Sequence, residues 1–245
     1  MTNFLFDTHA HLDLSPNFTE DINNIERLKI YTLAVTNLPP LYVKFKNKIE
    51  SKYIKPALGF HPELLEKYQK FIPQMWNLLD DAKYIGEVGL DYKVAANSKS
   101  IQLRFFESLI NKCDMLGGKI LTIHSRNSVD DILSIIGSKF NSKFILHWYS
   151  GNLKNIDLAV ANGAYFSINN AMFNSSNGIK IINHIPTDRL LLESDYPFVM
   201  NKNKIPFRVT DISEIVDNLA KNRNKNYDEM LGILNINFRK ILSED

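Results

Sequence analysis

Thiols are almost missing from this chain: Cys113 is the only cysteine, so neither an internal disulfide nor a thiolate-built zinc site is available. No sign of charge prevails either. With 29 basic against 27 acidic residues, the broad positive field of a nonspecific nucleic-acid binder is excluded, and a polyanionic substrate must be gripped locally, by a few side chains or by metal. Long apolar runs are absent, none approaching the roughly 18 residues of a membrane span. Asp7 and His9 arrive before a signal-peptide apolar region forms. No membrane association and a reducing, cytoplasmic location are therefore expected. There is no nucleophile elbow, Walker loop or dinucleotide fingerprint. Low-complexity tracts and linker-like breaks in composition are also lacking, so residues 1–245 are expected to form a single domain.

What the chain does have is a recurring unit, a short apolar or β-branched run followed by a polar end and a helical pattern. Eight such runs occur: 3–7, 30–37, 55–61, 84–90, 119–124, 143–148, 165–169 and 189–195. Their starts lie roughly 20 to 35 residues apart, the spacing of parallel βαβ units. Eight alternations in 245 residues fit a (β/α)8 TIM barrel, with a doubly wound open sheet as the alternative. Ser128 and Asp131 resemble a capping box. Phe106, Leu109, Ile110 and Cys113 share one helical face that Gly117–Gly118 ends, which makes Cys113 a small core residue. Further helical patterns cover 212–220 and 227–242.

Five of the six histidines, His9, His11, His61, His124 and His147, fall at or just past the end of an expected strand. In a barrel those ends share one rim, where active sites are built. His184, in an expected loop before Pro186, reads as structural. Glu87 and Asp195 interrupt apolar runs, and buried carboxylates need partners or a metal. In DTHAHLD, strand alternation points Asp7, His9 and His11 the same way, which makes a ready pair of imidazole ligands or a pair of hydrogen-bonded loop histidines. Glu87 in GEVGLDY has glycines on both sides, as close backbone approach requires; it is placed to bridge two cations, or else to pair with an arginine. His124 and His147 each read equally as ligand or satisfied rim histidine, and Glu193 as an orienting neighbour of Asp195. Four histidines with two carboxylates provide ligands for two divalent cations sharing one acid. Such a pair lowers the pKa of water from about 15.7 toward 7 and supplies a nucleophile without serine or cysteine.

At these residues the chain resembles the TatD family of metal-dependent deoxyribonucleases. The likeness runs through DTHAHLD, ALGFHPE, GEVGLDY, IHSR, LHWYSG, DRLLLESDYPF and NINFRKIL, nearly the whole length. It implies an amidohydrolase-like TIM barrel in which His9, His11, Glu87 and Asp195 hold one metal, and Glu87, His124 and His147 the other. Zn, Mg or Mn suits such mixed ligands. It implies too that His61, in the family's His-Pro element, contacts the scissile phosphate or shapes the leaving side. Three departures bear on specificity: His147 is followed by Trp148–Tyr149, the His-Pro element ends in Glu63, and 200–208 lacks the family's Arg-Asn-x-Pro loop. HPE, HSR, HWYSG and FSIN resemble the QatD branch, a component of the Qat anti-phage defence system, whose other proteins become candidate partners.

The expected reaction is phosphodiester hydrolysis on DNA ends or single strands. Asp195 acts as general base, with Glu87 and His61 completing the catalytic set. Arg126, as a fork-shaped donor, and His61 contact phosphate, while Trp148 and Tyr149 stack on an unpaired base. Arg126 as a plain surface residue and Trp148 as core packing stand beside these readings. Two other functions remain open. Amide or lactone hydrolysis is disfavoured because Lys83 and Lys93 lie outside the run carrying Glu87, and relatives with that chemistry use a carboxylated lysine. A non-catalytic scaffold in a defence complex is disfavoured by the complete ligand set.

Overall fold

A computed structural model describes residues 3–243; residues 1–2 and 244–245, the outermost ends of the expected 1–245 domain, lie outside it. Eight strands alternate with helices. The strands are β1 (Phe6–Ala10), β2 (Tyr31–Val35), β3 (Ile54–Ala57), β4 (Tyr84–Asp91), β5 (Ile120–Arg126), β6 (Lys143–His147), β7 (Tyr165–Ile168) and β8 (Leu190–Leu192). The helices are α1 (Phe18–Leu28), α2 (Pro39–Lys48), α3 (Leu65–Tyr68), α4 (Ile72–Leu79), α5 (Lys99–Leu116), α6 (Val129–Ile136), α7 (Lys154–Ala161), α8 (Ser176–His184), α9 (Ser213–Asn222) and α10 (Tyr227–Leu242). All strand pairs are parallel, in the orders β1-β2-β3 and β4-β5-β6-β7-β8.

Two seams close these sheets into a barrel. At the first, Leu58 bridges Ile85, and Phe60 N donates to Glu87 O at 3.0 Å. At the second, the loop after β8 reaches β1: Asp195 N donates to His9 O at 2.9 Å and His11 N to Tyr196 O at 2.7 Å. Closure removes free strand edges and gathers all eight strand ends on one rim. The open-sheet alternative is thereby excluded.

Helices pack where their apolar faces require. Phe106, Leu109, Ile110 and Cys113 are buried along α5, and Gly117 ends it at φ 63° with its N–H on Cys113 O at 2.9 Å. Two local expectations are corrected. Ser128 precedes α6 but does not cap it: its hydroxyl donates to Leu90 O at 2.7 Å, tying the helix start to β4, and Asp131 instead accepts from Tyr92 OH at 2.7 Å. His184 is not in a loop; it is the last residue of α8, its Nε2 2.9 Å from Asp157 of α7. Both residues found a nearer partner than local sequence foretells.

Candidate metal and active site

The rim of the barrel surrounds a cavity of about 700 Å³. His9 lies within β1 and His11 one residue past it; His124 lies in β5, and His147 ends β6. Glu87 stands mid-way along β4 and His61 four residues beyond β3, while Asp195 lies three residues past β8 rather than at its end. Asp195 has φ 47°, in the left-handed region that short polar side chains tolerate. Strand pairing slips between Asp7 and Ala10 and again between Ile85 and Val88, around His9 and Glu87. Such irregularities re-aim side chains that simple alternation would place elsewhere. Close approach here demands glycine: a Cβ on Gly86 would sit 2.1 Å from Thr122 Cγ2, and one on Gly89, at φ 141°, 2.1 Å from His124 O.

Glu87 is the hub, and imidazoles, not an arginine, surround it. Its Oε1 lies 2.8 Å from His124 Nδ1, 2.8 Å from His147 Nε2 and 3.4 Å from His61 Nε2. Oε2 lies 3.2 Å from His11 Nε2 and 3.7 Å from His9 Nε2. Asp195 Oδ1 is 3.8 Å from both of those Nε2 atoms. All six expected metal ligands, and His61 with them, thus converge. His61, Glu87 and His124 themselves form a ligand-like group, as do His9, His11 and Glu87, and His9, His147 and Asp195.

These residues fit a divalent cation. His9 and His11 aim Nε2 atoms at each other across 3.3 Å, where one proton at most satisfies two lone pairs. His9 Nδ1 lies 2.7 Å from Thr122 Oγ1; donation from that nitrogen leaves Nε2 free as a ligand. Burial and the adjacent His147 hold His9 well below the usual imidazole range, and thus neutral. Burial acts to raise Glu87, but His61 and His147 charges and hydrogen bonds from His11 and His124 keep it well below the carboxylate range. Asp195 is driven the other way, well above that range, by burial and by the Glu193, Glu87 and Asp7 carboxylates, against the opposing pull of His147. Asp7 is pushed up to about 7, burial again leading. Among the described residues no arginine or lysine pairs with these acids. A cation supplies the positive charge the cluster lacks.

Several supports escaped the sequence reading. Asp91 Oδ2 lies 2.8 Å from His124 Nε2 and its Oδ1 accepts from the backbone of Lys93 and Val94. Thr122 orients His9. Asp7 does not join the ligand group: its Oδ1 accepts from the backbone of His9 and Ser194, stitching β1 to the loop after β8. Glu193, expected as an orienting group, is fully buried; it accepts from Asn169 Nδ2 at 2.8 Å, from Ser167 Oγ and from Trp148 N at 3.0 Å. Alternation marks Glu193 as inward, whereas Asp91 and Thr122 carry no signal beyond being polar within a strand.

The substrate-side expectations divide. His61, Arg126 and Trp148 line the cavity, Arg126 exposed and Trp148 half-buried. Tyr149 does not line it. Its side chain is 1% exposed, edge-on to Phe166, and its hydroxyl donates to Asn152 O at 2.6 Å, so it is a core residue and no stacking platform. The strand ends at His147 and Trp148 turns at φ 38°, so both line the cavity and Tyr149 is carried into the core. Phe198, which the sequence did not single out, lines the cavity instead, 53% exposed and edge-on to His11 at 5.0 Å.

A family model described as TatD related DNase matches residues 6–243. The chain belongs to that family. Relatives of this TatD-family protein include an uncharacterized metal-dependent hydrolase of Buchnera aphidicola, 30% identical over 80% of this chain and 82% of that protein. The human deoxyribonuclease TATDN3 is 22% identical, over 97% of this chain and 94% of its own. Among solved structures, the TatD homologue YJJV of Escherichia coli superposes with a TM-score of 0.87 at 20% identity, covering 97% of each chain. The TatD-family protein is a metal-dependent hydrolase with a TIM-barrel fold, and no helix among its described residues is long and apolar enough to cross a membrane.

Proposed function

We propose that this TatD-family hydrolase cleaves phosphodiester bonds of DNA, acting at ends or on single strands, with two divalent cations (Zn, Mg or Mn). His9, His11, Glu87 and Asp195 hold one cation and Glu87, His124 and His147 the other. The observation that carries the reading is the convergence of these side chains on Glu87, whose two oxygens face different imidazoles. A relative named as a deoxyribonuclease supports the choice of substrate. When bound, the cations acidify water and neutralise charge on the phosphoryl oxygens.

The chain's own residues do the rest. Asp195 aligns the attacking water and takes its proton at a carboxylate oxygen. His61, with Nε2 near Glu87 and an open face on the cavity, contacts the scissile phosphate. Arg126 presents its guanidinium fork to a phosphate from the end of β5, and Trp148 offers a ring to an unpaired base. The near-neutral chain suits a local grip better than long backbone tracking.

A carboxylate among the imidazoles, with Lys83 before β4 and Lys93 past its end, favours phosphoester over amide or lactone hydrolysis. The complete donor set favours a catalyst over a scaffold. HPE, HSR, HWYSG and FSIN support membership of the QatD branch, hence a role in anti-phage defence beside other Qat proteins in the cytoplasm. End-labelled single- and double-stranded DNA, screened across the three metals with Asp195→Asn as control, tests the hydrolysis. Release of labelled product by the parent but not by the variant is expected; no cleavage with any metal overturns it.

A further inference from the structure

Side-chain chemistry is sorted by position around the rim. The loops after β2 and β3 bring Asn37 and Glu63, the loop after β4 and the end of β5 bring Lys93 and Arg126, and the loops after β6 and β8 bring Trp148 and Phe198. Strand order places Asn37 and Glu63 on one side of β4, which carries Glu87, and Trp148 on the other, while Phe198, after β8, stands across the barrel against His11. Asn37 lines the cavity, and its buried Oδ1 has no hydrogen-bond partner among the described residues, which leaves it to accept from water or a ligand. Glu63 opens on the same cavity. Its backbone N–H donates to His61 Nδ1 at 3.3 Å, so its place is coupled to that ring, and among the described residues its carboxylate forms no ion pair.

We propose that Asn37 and Glu63 form an acceptor corner that receives the hydroxyl of a strand terminus and repels a terminal phosphate. This rests on the phosphodiesterase reading and adds which ends are accepted. A strand whose scissile phosphate lies beside Glu87, with a base toward Trp148, delivers the group on the other side of that phosphate to the corner. A sugar hydroxyl there donates to Asn37 Oδ1 or to the Glu63 carboxylate. A phosphate monoester carries about −1.5 to −2 charges at pH 7 and offers no compensating donor, so it meets Glu63 as like charge against like charge. Lys93 and Arg126, on the neighbouring strand ends, remain for the internal phosphates. Because Glu63 is exposed, the repulsion is screened by salt.

The test uses the full chain with added divalent metal and matched single-stranded oligonucleotides ending in hydroxyl or phosphate, at each end in turn. Hydroxyl ends are expected to be cut about tenfold faster at low salt at one terminus, with the ratio shrinking at high salt. Glu63→Gln is expected to narrow the ratio to within about threefold, through faster cutting of phosphate ends. Equal rates on both ends, a preference for phosphate, or a ratio that Glu63→Gln leaves unmoved overturns the proposal while hydrolysis stands. If no strand is cut, the hydrolysis reading falls, and fluorescence anisotropy with the same oligonucleotides decides the corner. Tighter binding of hydroxyl ends that Glu63→Gln equalises upholds it; equal binding overturns it.

Discussion

His124 Nε2 lies 2.8 Å from Asp91 Oδ2, while Nδ1 of the same ring lies 2.8 Å from Glu87 Oε1. The ring is held between two carboxylates, one on each side, and the orientation of a ligand histidine is set by the partner of its other nitrogen. Asp91 is itself fixed by backbone donors, Lys93 N and Val94 N, at 2.8 and 2.7 Å. Asp91→Asn removes the charge and keeps the shape. Metal affinity is expected to fall about 10- to 100-fold. Titration calorimetry with Zn or Mn measures this; unchanged affinity would show that Asp91 does not position the ring.

Glu87→Gln goes to the hub. The amide matches the carboxylate in size but cannot answer five imidazoles that now face it, so cations are expected to be lost and cleavage abolished while the barrel stays folded. Elemental analysis together with circular dichroism checks both halves. Two metal equivalents retained by a folded variant would refute the shared-acid arrangement.

Thr122→Val keeps the branch and deletes the hydroxyl that faces His9 Nδ1. A buried imidazole N–H left without a partner costs about 1–3 kcal/mol, which lowers Tm by roughly 2–6 °C in a chain of this size. Thermal melts of the metal-free protein read this directly. An unchanged Tm would mean that His9 finds another acceptor.

At Gly89 a methyl group meets both obstacles at once, φ of 141° and a carbonyl oxygen 2.1 Å away. Gly89→Ala is expected to cost about 3 kcal/mol or more, because the β4–β5 pairing must shift beneath Glu87. Urea unfolding of the variant against its parent gives the number; a loss under about 1 kcal/mol would show that the strand yields easily.

Cys113 is buried on α5, and that burial pushes its thiol up to about 12, with nearby Lys119 pulling weakly the other way. The folded state therefore keeps the neutral thiol, a stabilisation present below the unfolded pKa near 9 and lost as pH rises toward 12. A thiol reagent at pH 8 is expected to leave the native chain untouched and to label it in urea. Fast native labelling would contradict the burial.

Much of this molecule is written in local order. The eight apolar runs, their spacing and the polar residues at their ends pointed to a barrel, with an open sheet as the alternative, and named the six side chains that converge on its rim, because strand periodicity and the helix between each pair depend only on neighbouring residues. Gly86 and Gly89 announced a crowded β4 for the same reason. What only the tertiary structure decided involves partners far apart in sequence. Thr122 stands 113 residues from His9 and Asp91 stands 33 from His124, and no local pattern couples them. Tyr149 turned inward while Phe198 came to the rim, and Asp195 reached the cluster from a loop bonded to β1, since barrel closure, not the preceding leucines, sets where that carboxylate lies. Periodicity tells which way a side chain faces along its own strand; only closure tells what it faces.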